Sequence, residues 1–252
     1  MPSNNIEINQ ITSDFFLNKN IQVVQPANGY RFSIDSVILA GFSHPPAGAT
    51  VLDLGTGCGI IPLILAHRTL DLQLIGVELQ PSLAAMALKN IKRNGLSDRI
   101  SILCQDMCNL TKDTFDTTVD YVISNPPYHP VLSGRINPDP QKALARHELA
   151  INLSKLVTIA RKVLHSGGKF ILIYPSERLT DVLFQMRQKG IEPKNLHIIF
   201  PKQNASAKLV VIEGVRDGRP GIQKISSLVV YRLDGRYTPE MIQLLKSKFC
   251  AL

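Results

Sequence analysis

Short apolar runs and helical patterns take turns along most of this chain. Val51-Leu52-Asp53-Leu54 reads as a buried strand, and Ile60 to Arg68 as a helix. Leu74-Ile75-Gly76-Val77 predicts a second strand. Pro81 to Asn94 predicts a helix with proline in its first turn and Gly95 as its stop. Further strands are expected at Ile100 to Cys104 and Tyr121 to Ser124. Leu153 to Leu164 is helical in pattern, Lys169 to Tyr174 strand-like, and Leu179 to Lys189 helical again. Leu196 to Phe200 and Leu209 to Glu213 complete the series. Strands that alternate with helices predict an α/β fold, a doubly wound and mostly parallel sheet with helices on both faces.

Three stretches fall outside the alternation. Phe15 to Ala49 reads as an N-terminal extension packing on the sheet. His129 to Gln141 is polar, carries prolines and a glycine, and predicts an exposed loop. The tail from Val215 adds a strand at Leu228 to Tyr231 and a short helix after Pro239. Neither a repeat nor a composition break marks a second domain. The expected organisation is therefore a single domain, with residues 1–49 as the extension and 50–252 as the core with its C-terminal elaboration.

Composition narrows the class. Of 252 residues, 44% are hydrophobic and 19% charged, which fits a folded globular chain and argues against disorder. No apolar run reaches the roughly 18 to 20 residues that span a bilayer. The start, Met1 to Gln10, is too polar for a signal peptide. The 4 cysteines are too few for a disulfide scaffold. A cytoplasmic protein without a membrane segment is expected. Charge then changes the picture: 28 Lys and Arg against 20 Asp and Glu leave a net +8, a balance that favours polyanions, above all nucleic acid.

The candidate chemistry sits at strand ends. Asp53-Leu54-Gly55-Thr56-Gly57-Cys58-Gly59 joins a strand to a helix, and glycines there let the backbone turn sharply and approach a ligand. A dinucleotide fingerprint would want its third glycine where Ile60 stands. Glu78 closes the next strand and is placed to accept from both hydroxyls of a ribose, with a solvated strand end as the plain alternative. As a strand-end group it is expected to lie outside the core. Asp106, just past the third strand, offers an acceptor for the exocyclic amine of a bound adenine; its alternative is an ordinary turn aspartate.

Asn125-Pro126-Pro127-Tyr128 follows directly on a strand and is the most specific signal. The prolines fix φ and remove N–H donors, so the segment is stiff and presents carbonyl acceptors, to which Asn125 adds its side-chain oxygen. Convergent acceptors suit a planar –NH2 group whose lone pair is delocalised. Accepting both N–H hydrogens favours pyramidalisation and aims the lone pair at an electrophile. Tyr128 supplies a ring to stack on a base or an amide. Cys104 and Cys108 have no partner pair to complete a zinc site, and no metal is expected.

This order of glycine loop, Glu78, Asp106 and Asn-Pro-Pro-Tyr resembles the class I S-adenosylmethionine-dependent methyltransferases of planar amino nitrogens. Gln25 to Ser36 before the fold, and Ala145-Arg146-His147-Glu148 after the motif, resemble the bacterial tRNA1(Val) adenine-N6 methyltransferase family, with likeness over roughly Phe15 to Leu245. The resemblance implies a seven-stranded sheet whose last hairpin is antiparallel. It implies S-adenosylmethionine across the strand ends, with Asp53, Gly55, Gly57, Gly59, Glu78, Asp106 and Asn125 around it. It also implies a target adenine held by Asn125, Pro126 and Tyr128, in a tRNA next to the anticodon. Pro127, Arg135, Lys142, Arg146, Lys202 and Lys208 are candidates for contact with the nucleic acid. Arg146-His147-Glu148 reads equally as helix capping and surface charge. The rivals are a protein-glutamine methyltransferase, another nucleic-acid amino-methyltransferase acting on rRNA or DNA, and an NAD-binding module without methyl transfer.

Overall fold

The computed structural model describes residues 11–16, 21–26, 33–127 and 153–246. Its centre is an eight-stranded sheet. In chain order, β1 (Ile11–Phe16) and β2 (Ile21–Pro26) precede α1 (Ile34–Phe42), β3 (Thr50–Leu54), α2 (Ile60–Arg68), β4 (Gln73–Glu78) and α3 (Pro81–Arg93). Then come β5 (Ile100–Cys104), β6 (Val119–Ser124), α4 (Leu153–Val163), β7 (Leu164–Pro175) and α5 (Leu179–Gln188). The chain continues through β8 (Ile191–Lys202), β9 (Leu209–Arg216), β10 (Lys224–Tyr231) and α6 (Pro239–Lys246).

Strand order across the sheet is β10-β8-β9-β7-β6-β3-β4-β5. The pairs from β5 to β7 are parallel, and β9 runs antiparallel to both β7 and β8. The mostly parallel sheet with an antiparallel last hairpin is therefore as expected, and β10 adds an eighth strand, parallel to β8 at the edge. Joining it requires the 217–223 segment to pass under the start of β8. Buried Lys194 holds that crossing, its Nζ donating to the carbonyls of Arg219 and Gly221. Both faces of the sheet are covered. Val51, Tyr121, Ile123, Ile171 and Val211 face one apolar layer; Leu52, Leu54, Val122, Leu172 and Ile212 face the other, the period of two expected of a strand.

β1 and β2 form a separate antiparallel hairpin. Ile21 and Val23 of β2 are buried in the apolar core, and a polar tie adds to them. Fully buried Asn90 of α3 accepts from Val24 N at 2.8 Å and donates to Val24 O and to Cys58 O, both at 2.9 Å. One amide thus joins the hairpin, α3 and the glycine loop, with all its hydrogen-bonding groups in use. α1 is fixed from below by buried Arg68 of α2, which donates to Ala40 O at 2.9 Å and to Leu244 O of α6 at 2.5 Å. Among the described residues, no helix is long and apolar enough to cross a membrane.

Candidate active site

The carboxyl ends of β3, β4, β5 and β6 lie side by side, and the sequence-predicted residues gather there. Alternation brings several of them to one face. Asp53 shares the parity of Val51 on β3, and Glu78 that of Leu74 on β4, so both belong to the face covered by α1, α2 and α3. The glycine loop between β3 and α2 turns on Gly55, Gly57 and Gly59, with φ of 79°, 58° and 83°. These are left-handed values that residues with a Cβ reach only at a cost. Gly59 has a packing role as well, since a Cβ there would stand 3.3 Å from Cβ of Ala87 on α3. Gly76, mid-strand in β4, makes room for the loop: a Cβ on it would meet the Thr56 side chain at 2.8 Å.

Glu78 is 4% exposed, so the expectation of a side chain outside the core is corrected. Its Oε2 accepts from Gly57 N and its Oε1 from Gln80 N, both at 2.9 Å. The carboxylate therefore closes the glycine loop onto β4. Each oxygen retains a further lone pair, the capacity a ribose hydroxyl would use. Asp106 sits at the end of the neighbouring strand and starts a short 3-10 turn, Met107–Asn109; its Oδ1 accepts from Cys108 N at 2.8 Å. The turn reading is thus correct for one oxygen, and Oδ2 is left as an acceptor.

Among the described residues, Asp53 is the one carboxylate with both oxygens buried and unpartnered. It is 1% exposed, and neither carboxylate oxygen has a hydrogen-bond partner; the buried Thr56 hydroxyl lacks one too. Burial pushes the Asp53 carboxyl up from 3.8 to about 7; the nearby Thr56 hydroxyl offsets part of that rise and the Glu78 charge adds to it. Orphaned acceptors are costly to bury, and what would satisfy them is a ligand bearing N–H donors and positive charge. The α-ammonium of a methionine is such a group. The donor set fits S-adenosylmethionine, and Asp53, the glycine loop, Glu78 and Asp106 are the residues that would hold it.

β6 delivers the second half of the site. Ser124 Oγ donates to Leu54 O at 2.8 Å and pins the strand end to β3. Asn125 follows, half-buried, its Nδ2 donating to Ser36 Oγ of α1 at 2.9 Å. Pro126 is buried and Pro127 exposed. Tyr128, Arg135, Lys142 and Arg146 lie outside the described residues, as do His147, Glu148 and the 129–141 segment. Lys202 and Lys208 are exposed in the β8–β9 connection, at the same edge of the sheet as Asn125. β8 lies three strands from β6, on the order of 15 Å at normal strand spacing. Sequence reasoning missed Ser36, Asn90 and Gly76, each of which acts through a partner distant in the chain.

A sheet in this order, a glycine loop after its first parallel strand and Asn-Pro-Pro after β6 together define an S-adenosylmethionine-dependent methyltransferase of class I. The model of the methyltransferase small domain matches residues 34–188. Relatives named tRNA1(Val) (adenine(37)-N6)-methyltransferase match over nearly the whole chain. The protein from Porphyromonas gingivalis strain ATCC 33277 is 29% identical, covering 92% of this chain and 93% of its own. That from Shewanella baltica strain OS195 is 30% identical, covering 86% and 91%. The chain belongs to the methyltransferase small domain family, in the branch of these tRNA1(Val) (adenine(37)-N6)-methyltransferases. Two solved structures share the fold. A predicted O-methyltransferase from Agrobacterium tumefaciens has a TM-score of 0.68 at 18% identity, covering 86% of this chain and 99% of its own. Geranyl diphosphate C-methyltransferase from Streptomyces coelicolor A3(2), with S-adenosyl-L-homocysteine, has 0.53 at 14%, covering 72% and 79%.

Glu78 and Asp53 each generate an expectation. Glu78→Ala orphans two backbone donors, at about 1–3 kcal/mol for each that stays buried. It should lower both Tm and S-adenosylmethionine affinity, and Glu78→Gln should lie between it and the wild type. Unchanged calorimetric values for the alanine variant would remove Glu78 from both roles. For Asp53 the sign follows from linkage. Between the unfolded value of 3.8 and the folded value of about 7 the folded state holds the extra proton, so stability falls as pH rises. In the ligand-free protein, Asp53→Asn should gain Tm on the wild type progressively from about pH 4 to about pH 7 and hold a constant lead above that. Parallel Tm–pH curves for the two proteins would contradict the buried unpaired acid.

Proposed function

We propose that this chain transfers a methyl group from S-adenosylmethionine to the N6 amine of an adenine in tRNA, the adenine adjacent to the anticodon of a valine tRNA. The observation that carries the reading is Asn125: an amide at the end of β6, tethered through its nitrogen, with its oxygen left to accept. The naming of relatives that align over about nine-tenths of this chain agrees with it.

S-adenosylmethionine supplies a methyl group on a cationic sulfur. The protein's own residues do the rest. Asn125 Oδ1 and the Pro126 carbonyl accept the two N–H hydrogens of the target amine and draw its lone pair out of conjugation with the ring. Tyr128 stacks on the base. As the new N–C bond forms, the C–S pair leaves with sulfur, and the surplus N–H proton departs afterwards to water. No base is required before attack. Rate enhancement then rests on orientation and on acceptors placed where positive charge grows on nitrogen. The base must be unstacked to reach Asn125, which an unpaired loop adenine does at least cost. Lys202 and Lys208, with Arg135, Lys142, Arg146 and the backbone at Pro127, contact the RNA around that loop. The protein works in the cytoplasm.

The test is methyl transfer to an unmodified valine tRNA transcript, a duplex DNA and a release-factor glutamine peptide, read by mass analysis. Transfer to adenine N6 of the tRNA alone is expected, falling steeply with salt as bound phosphates release counterions. Transfer to the glutamine or the DNA, with tRNA untouched, would overturn the substrate and leave the methyltransferase. Asn125→Ala should remove most turnover while S-adenosylmethionine still binds; a near-normal rate would reduce Asn-Pro-Pro-Tyr to a turn.

A further inference from the structure

The two ends of an asparagine amide have opposite chemistry. Oδ1 accepts, and the NH2 donates. Only one of them can serve a target that is itself an N–H donor. If the amide turned over, it would present hydrogen to hydrogen and repel the amine it has to hold. The side chain must therefore be held with Oδ1 toward the amine, and the strand alone does not hold it. Ser124 Oγ on Leu54 O fixes the backbone before Asn125, and Pro126 restricts the backbone after it, but the last torsion of the Asn125 side chain stays free.

The group that meets this side chain comes from another part of the chain. Ser36 lies in the first turn of α1, 2% exposed, and its Oγ receives Asn125 Nδ2 at 2.9 Å. The helix that carries it is rigidly seated. Arg68 donates to Ala40 O, and Ser43 Oγ closes on Leu39 O at 2.8 Å. α1 also packs against α2, β7 and α6. Among the described residues, the group that meets the Ser36 hydroxyl is the Asn125 amide.

We propose that Ser36 is a positioning residue for Asn125: its hydroxyl takes the amide N–H and holds the side chain in the arrangement that leaves Oδ1 for the amine being methylated. The proposal rests on the reading of Asn125 under Proposed function. Its consequence is that α1, which lies before the first strand of the main sheet, holds the amide at the end of β6 in place.

The experiment is single-turnover methyl transfer with labelled S-adenosylmethionine and unmodified tRNA, in two backgrounds. In the wild type, Ser36→Ala should slow the transfer step by about 10- to 100-fold, the scale of a misplaced reacting group. Tm, S-adenosylmethionine affinity and tRNA KM should be unchanged, and Ser36→Thr should recover most of the rate. In an Asn125→Ala background no amide is left to hold, and Ser36→Ala should cost less than about threefold of the residual rate. An unchanged rate for Ser36→Ala overturns the proposal. So does an equal loss in both backgrounds, or a loss accompanied by a lower Tm that Ser36→Thr does not restore; these mark a merely structural hydroxyl. A near-normal rate for Asn125→Ala would instead remove the role given to Asn125, and the proposal with it.

Discussion

A buried carboxylate holds the site together. Glu78 receives Gly57 N on one oxygen and Gln80 N on the other, and so fixes the glycine loop against the end of β4. The loop cannot hold itself, because three glycines at positive φ give it many alternatives and few internal bonds. Gly55 N and Thr56 N both turn back to Val77 O, and Gly76 leaves the space that Thr56 enters. Sequence, turn and strand end therefore agree on one conformation. The same geometry places a second acid, Asp53, in the loop's floor with nothing to pair it. A protein that buries one unpartnered carboxyl next to a partnered one carries a standing electrostatic cost. A cationic, N–H-bearing ligand would relieve that cost.

Segments before the main sheet are part of the same construction. Asn90 ties β2 to the glycine loop through Val24 and Cys58, and Ser36 ties α1 to the end of β6. Both contacts are single side chains, buried, with polar partners. For fully buried Asn90 the energetic leverage comes less from the bonds made than from the groups orphaned if they are lost. The glycine loop and the end of β6 are thereby each anchored to an element from the first 42 residues.

How much of this was legible depended on the range of the interactions. Helix α2 and strand β5 were readable to the residue, because apolar period and stop signals are local. That Asn125, Glu78 and the loop glycines meet at one end of the sheet was readable, because each directly closes or follows a strand of the parallel series. β8 was longer than expected: its start, through Pro193, Lys194 and Asn195, looks polar, and only the carbonyls of Arg219 and Gly221 make a strand lysine tolerable there. β10 was foreseen as Leu228 to Tyr231, but its exposed leading half, Lys224 to Ser227, gave no apolar signal. Burial of Glu78 was misread for the same reason. A carboxylate at a strand end is solvated by default, and its two backbone donors come from a loop whose path the pattern does not reveal. Ser36 and Asn90 were invisible as site residues, since their partners lie 89 and 66 residues away.

The most direct measurement is a pair of calorimetric titrations of the purified chain, with S-adenosylmethionine and with NAD, at neutral pH. The account predicts a single saturable site for S-adenosylmethionine and no saturable heat for NAD, because the dinucleotide brings a pyrophosphate to a floor lined by two carboxyls and no ammonium to satisfy Asp53. Saturable NAD binding without S-adenosylmethionine binding would contradict it.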